Sequence, residues 1–132
     1  MPETLVRDVM SSRVRLIGAD DSIRSAAEAM ETDGIGAVVV VDAGRVRALV
    51  TDRDIVVRGI ARGLDPQETP VSKIAVSDLV AIADDAPVSE AVRIMRDRDL
   101  HRVLVFNDEQ ALTGVVTLGD VADGAREDLR CR

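Results

Sequence analysis

The stretch that decides the fold runs from residue 37 to residue 54: Ala37-Val38-Val39-Val40-Val41-Asp42-Ala43-Gly44-Arg45-Val46-Arg47-Ala48-Leu49-Val50-Thr51-Asp52-Arg53-Asp54. Two short apolar runs, Ala37 to Val41 and Val46 to Val50, flank the turn residues Asp42-Ala43-Gly44, the pattern of a β-hairpin. The unbroken valines predict strands covered on both faces. After Val50 the chain turns polar, as a helix start requires. Ile55, Val56 and Ile60 then predict the apolar side of a helix from Asp52 to about Arg62.

The same passage returns later as Arg102 to Phe106, a turn at Asn107 to Gln110, Leu112 to Val116, and a helix from Leu118 to about Arg126. Working outward, the whole chain repeats at an offset of 65 residues: Val6, Ser12, Ile17, Asp20, Ala26, Met30, Val38 and Val40 recur as Val71, Ser77, Ile82, Asp85, Ala91, Met95, Val103 and Val105. One residue inserted in the second turn makes the offset 66, and Val50, Thr51 and Asp54 recur as Val116, Thr117 and Asp120. Repeats are therefore expected at 6–62 and 71–126, joined by a linker at 63–70 marked by Pro66 and Pro70 and followed by a C-terminal tail at 127–132.

Each repeat opens with a short apolar segment, Val14 to Ile17 or Leu79 to Ile82, read as a strand. A helix follows. In the first repeat Asp21 or Ser22 can cap it, Ile23, Ala26, Ala27 and Met30 fall on one face, and Gly34 supplies a left-handed exit. In the second, Pro87 suits the first helical turn, and Val88, Ala91, Val92 and Met95 form the matching stripe. Both methionines belong to the core in this reading. The order is β-α-β-β-α, twice, an α/β (α+β) fold.

Composition removes several kinds of function. The chain has 132 residues, with 17 Lys plus Arg against 24 Asp plus Glu and a net charge of −7. Such an acidic surface gives no electrostatic support to nucleic-acid binding, and Phe106, the one aromatic residue, makes no stacking platform. One Cys and one His cannot supply a four-ligand structural zinc site or a disulfide within one chain, so no metal is expected. No apolar run approaches the ~18 residues of a membrane span, and the first fifteen residues show no secretory pattern. A cytoplasmic location without membrane attachment is the expectation. Catalysis finds little support: Cys131 is penultimate, a poor place to hold a nucleophile against His101. Asp20-Asp21 and Asp84-Asp85 sit where loops and helix starts favour carboxylates. The chain is not expected to be an enzyme.

The residues that recur in register carry a resemblance. Asp20-Asp21-Ser22-Ile23 with Ala26 and Met30, Ala48-Leu49-Val50-Thr51-Asp52-Arg53-Asp54, Ala91 with Met95, His101-Arg102-Val103-Leu104-Val105, and Gly114-Val115-Val116-Thr117-Leu118-Gly119-Asp120 together resemble the CBS domain (named for cystathionine beta-synthase) in tandem. The run from Thr51 to Pro66 further resembles small stand-alone two-CBS proteins, including actinobacterial hypoxic-response proteins. Val39 and Leu104 stand where the family often has Pro, and Ala48 where it often has Gly, departures that bear on local backbone geometry. The resemblance implies a regulatory, non-catalytic pair of repeats about a pseudo-two-fold axis. It further implies a homodimer, an effector protein, and AMP, ADP, ATP or S-adenosylmethionine as regulatory ligand in the clefts between repeats.

A Thr followed three residues later by an Asp, at the passage from strand to helix, suits that ligand class. The carboxylate can accept two hydrogen bonds from a ribose diol, and free backbone N–H groups at a helix start suit phosphate. Asp54 and Asp120 are the expected ribose ligands, with Thr51 and Thr117 at phosphate or ribose. The alternative is a helix cap worth roughly 1 kcal/mol with no ligand at all. His101 and Arg102 are phosphate candidates, Arg102 through its planar fork. The first repeat has Gly36-Ala37 there, so the two sites are chemically unequal. Arg53 and Arg58 are further candidates, but five residues of α-helix separate them by about 140°, so they are not expected to share one phosphate. Val14, Leu16, Ile35, Leu79, Ala81 and Leu100 are the expected adenine walls, with plain core as the alternative for each. A scaffold that dimerises through apolar helical faces, its clefts vestigial, is the rival reading.

Overall fold

The computed structural model describes residues 3–77 and 79–121. Packing divides the chain into two units, one formed by Val14–Leu79 and the other by the described parts of Met1–Arg13 and Val80–Arg132. Cys131, the predicted tail at 127–132 and the end of the helix predicted to about Arg126 lie outside the described residues, of which 118–121 are helical. Among the described residues no helix is long and apolar enough to cross a membrane.

In the first unit β1 (Leu16–Gly18), α2 (Ile23–Asp33), β2 (Ala37–Asp42) and β3 (Arg45–Thr51) follow in order after α1 (Val6–Val9), which belongs to the other unit. The sheet order is β1-β2-β3, with β1 parallel and β3 antiparallel to β2. Ala43 and Gly44 both adopt positive φ, 53° and 75°, the backbone a two-residue hairpin needs to match strand twist. Val38, Val39 and Val40 are all buried, as the valine run predicts.

Helix α2 begins at Ser22, whose Oγ accepts from the Ser25 N–H at 3.0 Å, and ends at Gly34 with φ 65°. Ile23, Ala26 and Met30 are buried on its inner face, joined by Ala29, while Ala27 is half-buried. Ser22→Ala is expected to cost about 1 kcal/mol through loss of this cap. Thermal unfolding reads the change as a midpoint lowered by a few degrees, and an unchanged midpoint contradicts it.

The helix predicted from Asp52 to Arg62 is built differently. A short turn, α3 (Asp52–Asp54), passes directly into a π-helical segment (Ile55–Ile60) in which the Ala61 N–H bonds to the Val56 carbonyl at 2.9 Å. Its expected apolar side does not face inward: Ile55 packs on the core, but Val56 and Ile60 are 59% and 56% exposed. Gly59 is the buried residue of the segment, and a Cβ built on it would lie in ordinary contact with Ile23 Cδ1 at 3.6 Å, so the segment faces α2 with Gly59. The longer apolar residues then point away.

The second unit repeats the plan with β4 (Ala81–Ala83), α4 (Val88–Arg98), β5 (Arg102–Phe106) and β6 (Leu112–Thr117) in a β4-β5-β6 sheet. Its hairpin turn is held by Asn107, whose Oδ1 accepts from the Glu109 and Ala111 N–H groups. Pro87 sits one position earlier than predicted: with ψ 148° it is the residue before α4, not part of its first turn.

The first N–H groups of both long helices are satisfied from afar. Ile23 donates to the Thr69 carbonyl at 3.0 Å and Val88 to the Thr4 carbonyl at 2.9 Å, equivalent bonds in the two repeats. The segment predicted as a linker, 63–70, thus lies on the first unit, and Val71 and Ile74, which open the predicted second repeat, enter that unit's core. The opening residues lie on the second, where Val6 is fully buried. The sequence repeat and the packing units are offset, because each repeat's lead-in segment completes the other's core.

Candidate functional site

Strand directions gather the expected residues at one end of each sheet. In the first unit β1 and β2 begin where β3 ends: Leu16 pairs with Val39 and Ala37 with Thr51. The Asp52 N–H bonds to the Gly36 carbonyl at 3.0 Å. Val14, Leu16, Ile35, Thr51 and Asp54 therefore share that end. In the second unit Arg102 pairs with Thr117, and the Leu118 N–H bonds to the His101 carbonyl at 3.0 Å, which brings Leu100, His101, Arg102, Thr117 and Asp120 together.

The Thr and Asp residues form reciprocal boxes. Asp54 N–H donates to Thr51 Oγ1 at 3.1 Å and Thr51 N–H to Asp54 Oδ2 at 2.9 Å. In the second repeat Asp120 N–H donates to Thr117 Oγ1 at 3.0 Å, and Thr117 N–H to Asp120 Oδ2 at 2.9 Å. This is the capping arrangement, and it does not exhaust the carboxylates. Each half-buried Asp has acceptor capacity beyond the one bond to Oδ2, since a carboxylate offers about four lone-pair sites. Capping and diol recognition can coexist at one residue.

The expectation of free N–H groups at the helix start fails in the first repeat. Asp52 N–H is bound to Gly36, Arg53 N–H to Asp52 Oδ1 at 2.8 Å, and Asp54 N–H to Thr51. In the second repeat Leu118 replaces Asp52, and among the described residues the Gly119 N–H has no acceptor. Asp52 is the residue that sequence reasoning missed. Its one available signal is a short acceptor directly after the Thr, where Ser, Thr, Asn and Asp readily bond nearby backbone.

The cations differ as well. Arg102 is half-buried and makes no ion pair among the described residues, while His101 beside it is exposed. Arg53 is exposed, and Arg58 directs Nη1 to the Ile74 carbonyl at 3.4 Å. The π-helical winding removes the α-helical angle that separated these two arginines on paper; the Ile74 bond engages Arg58 alone. Of the adenine-wall candidates, Leu16 is 55% exposed and Ala81 is exposed. Val14, Leu79 and Leu100 are half-buried, and Ile35 packs partly on the first core. Leu79 closes the first unit, and Ala81 lines a shallow depression of about 280 Å³ that extends to Phe106 and Asn107. At the other end of the second sheet the carboxylates of Asp84, Asp85 and Asp108 come within 4.8 Å of one another, mostly in solvent.

Known proteins share this plan. The family model described as "CBS domain" matches residues 6–59 and 71–127. The hypoxic response protein 1 of Mycobacterium tuberculosis is 33% identical over 120 residues, covering 90% of this chain and 83% of that protein. The CBS domain-containing protein YhcV of Bacillus subtilis is 34% identical over 117 residues, covering 89% and 82%. Among solved structures, a CBS domain protein of Pyrobaculum aerophilum complexed with AMP is similar at 26% identity and a TM-score of 0.77, over 89% of each chain. The two repeats met first as an offset of 65 residues are two CBS domains, and the chain belongs to that family.

Proposed function

We propose that the protein is a non-catalytic regulatory module that binds an adenosine-containing ligand, among AMP, ADP, ATP and S-adenosylmethionine, and signals by conformational change. Asp54 and Asp120 hold ribose hydroxyls, Thr117 and Arg102 meet phosphate, and the half-exposed aliphatic residues beside them wall the adenine. The observation that carries this reading is the grouping, in both units, of a capped but still acceptor-rich carboxylate with accessible aliphatic positions. The AMP complex of the Pyrobaculum aerophilum relative supports the ligand class. Signalling requires that the ligand bind two arrangements of the protein unequally, so that occupancy shifts the state an effector protein meets. The module acts in the cytoplasm as a homodimer.

Calorimetric titration of ligand-stripped protein with the four compounds tests this. At least one should bind saturably, adding about 2.7 kcal/mol of stability at 100-fold excess over Kd. Asp54→Asn or Asp120→Asn, each of which retains a capping side chain, should weaken that binding at least tenfold. Silence from all four compounds overturns the proposal. A dimerisation scaffold is then the better reading, favoured by the exposed apolar residues Val56, Val57 and Ile60.

A further inference from the structure

Resting on the adenosine reading above, we propose that phosphate-bearing adenosine ligands occupy the site of the second repeat and are refused by that of the first, with Asp52 as the residue that sets the difference. The contrast lies in side-chain charge. In the first repeat two carboxylates stand within one turn, Asp54 in the Thr51 box and Asp52 with Oδ1 on the Arg53 N–H at 2.8 Å. A phosphate oxygen approaching that N–H must displace the exposed Asp52 carboxylate and then lie beside it and the half-buried Asp54, and like charges repel.

Among the described residues the arginines near this end are engaged elsewhere or exposed: Arg15, beside Leu16, pairs with Asp33 at 3.1 Å. The strand start carries Gly36-Ala37, Arg58 directs its guanidinium to the Ile74 carbonyl, and Arg53 stands exposed, where recruiting it would cost side-chain entropy. In the second repeat the same positions reverse the balance. Leu118 takes the place of Asp52, and Arg102, half-buried and without an ion pair among the described residues, starts the strand that pairs with Thr117. Its planar fork suits phosphate oxygens. The second site thus offers one carboxylate for ribose and one arginine for phosphate, whereas the first offers two carboxylates. An uncharged or cationic adenosine compound remains compatible with the first.

The test is calorimetry on the full chain with AMP and, as the phosphate-free probe, adenosine. AMP should bind once per chain, Asp120→Asn should weaken it at least tenfold, and Asp52→Leu should raise the stoichiometry to two. If Asp52→Leu fails to fold, Asp52→Asn keeps the acceptor, removes the charge and should also open the second AMP site. Two AMP molecules per unaltered chain, full AMP affinity in Asp120→Asn, or a single AMP in the folded Asp52 variants overturns the inference. Adenosine binding alongside any of those results leaves the adenosine reading standing alone. Failure of both AMP and adenosine to bind overturns the inference, and the adenosine reading falls with it only when ADP, ATP and S-adenosylmethionine are silent as well.

Discussion

Ile23→Ala is expected to cost about 2–5 kcal/mol, the range for removing a buried branched side chain from a core that collapses only partly around the void. Ile23 is 1% exposed, opens α2 and is packed by the first core cluster. Its neighbours cannot readily close in. The Ile23 N–H is tied to the Thr69 carbonyl, and the π-helical segment already lies against the side chain through Gly59. Urea unfolding measures the effect as a lowered midpoint with an unchanged slope. A loss below about 1 kcal/mol would mean that the π-helical segment moves inward to fill the space. That would contradict a fixed placement of Gly59 against Ile23.

Gly114→Ala should cost about 1–3 kcal/mol, the usual penalty for overpacking. Here the reason is a backbone atom. The added Cβ would lie 2.6 Å from the Ser11 carbonyl oxygen and 2.7 Å from Met10 Sδ. Met10 could rotate away, but the Ser11 carbonyl is bonded to the Val115 N–H at 3.0 Å, and the Ser11 N–H returns to the Val115 carbonyl at 2.9 Å. The equivalent pair in the first repeat, Leu49 with Val76, follows Ala48, and Ala75 stands there in place of Met10. Methionine over glycine and alanine over alanine are two solutions to one spacing. Hydrogen exchange should therefore show Ser11 and Val115 losing protection in Gly114→Ala before Leu49 and Val76. Unchanged protection at Ser11 and Val115 would sink the argument.

Much of this architecture was legible in the sequence because hairpins and helix faces are local. Asp42-Ala43-Gly44, the Ile23-Ala26-Met30 stripe and Gly34 each specify geometry through neighbours within a few residues, and the recurrence of Thr51 and Asp54 as Thr117 and Asp120 placed both boxes. What stayed hidden depends on distant partners. Nothing in the apolar spacing of Ile55, Val56 and Ile60 reports that Gly59 meets Ile23, and without that contact a regular α-helix is the natural reading. Periodicity also marks Val6 and Val71 as buried without saying in which core. At the site, residue types disclosed the ribose carboxylates, but the use of Asp52 against its own neighbour's N–H is a matter of rotamer.

The exchange of lead-in segments gives the protein an order of assembly on the ribosome. Val14–Leu79 is one continuous stretch, so its sheet and the cap from Thr69 can close as soon as that stretch has emerged. The other body is discontinuous. Val6 is synthesised 76 residues ahead of Ile82, beside which it is finally buried, and it has no destination until β4, β5 and β6 exist. The delay costs little in closure entropy, about 0.6 kcal/mol for each doubling of the loop. It does mean that a nascent chain halted before Thr117 carries one finished domain and an apolar leader still waiting for its sheet, the species that chaperones and proteases meet first.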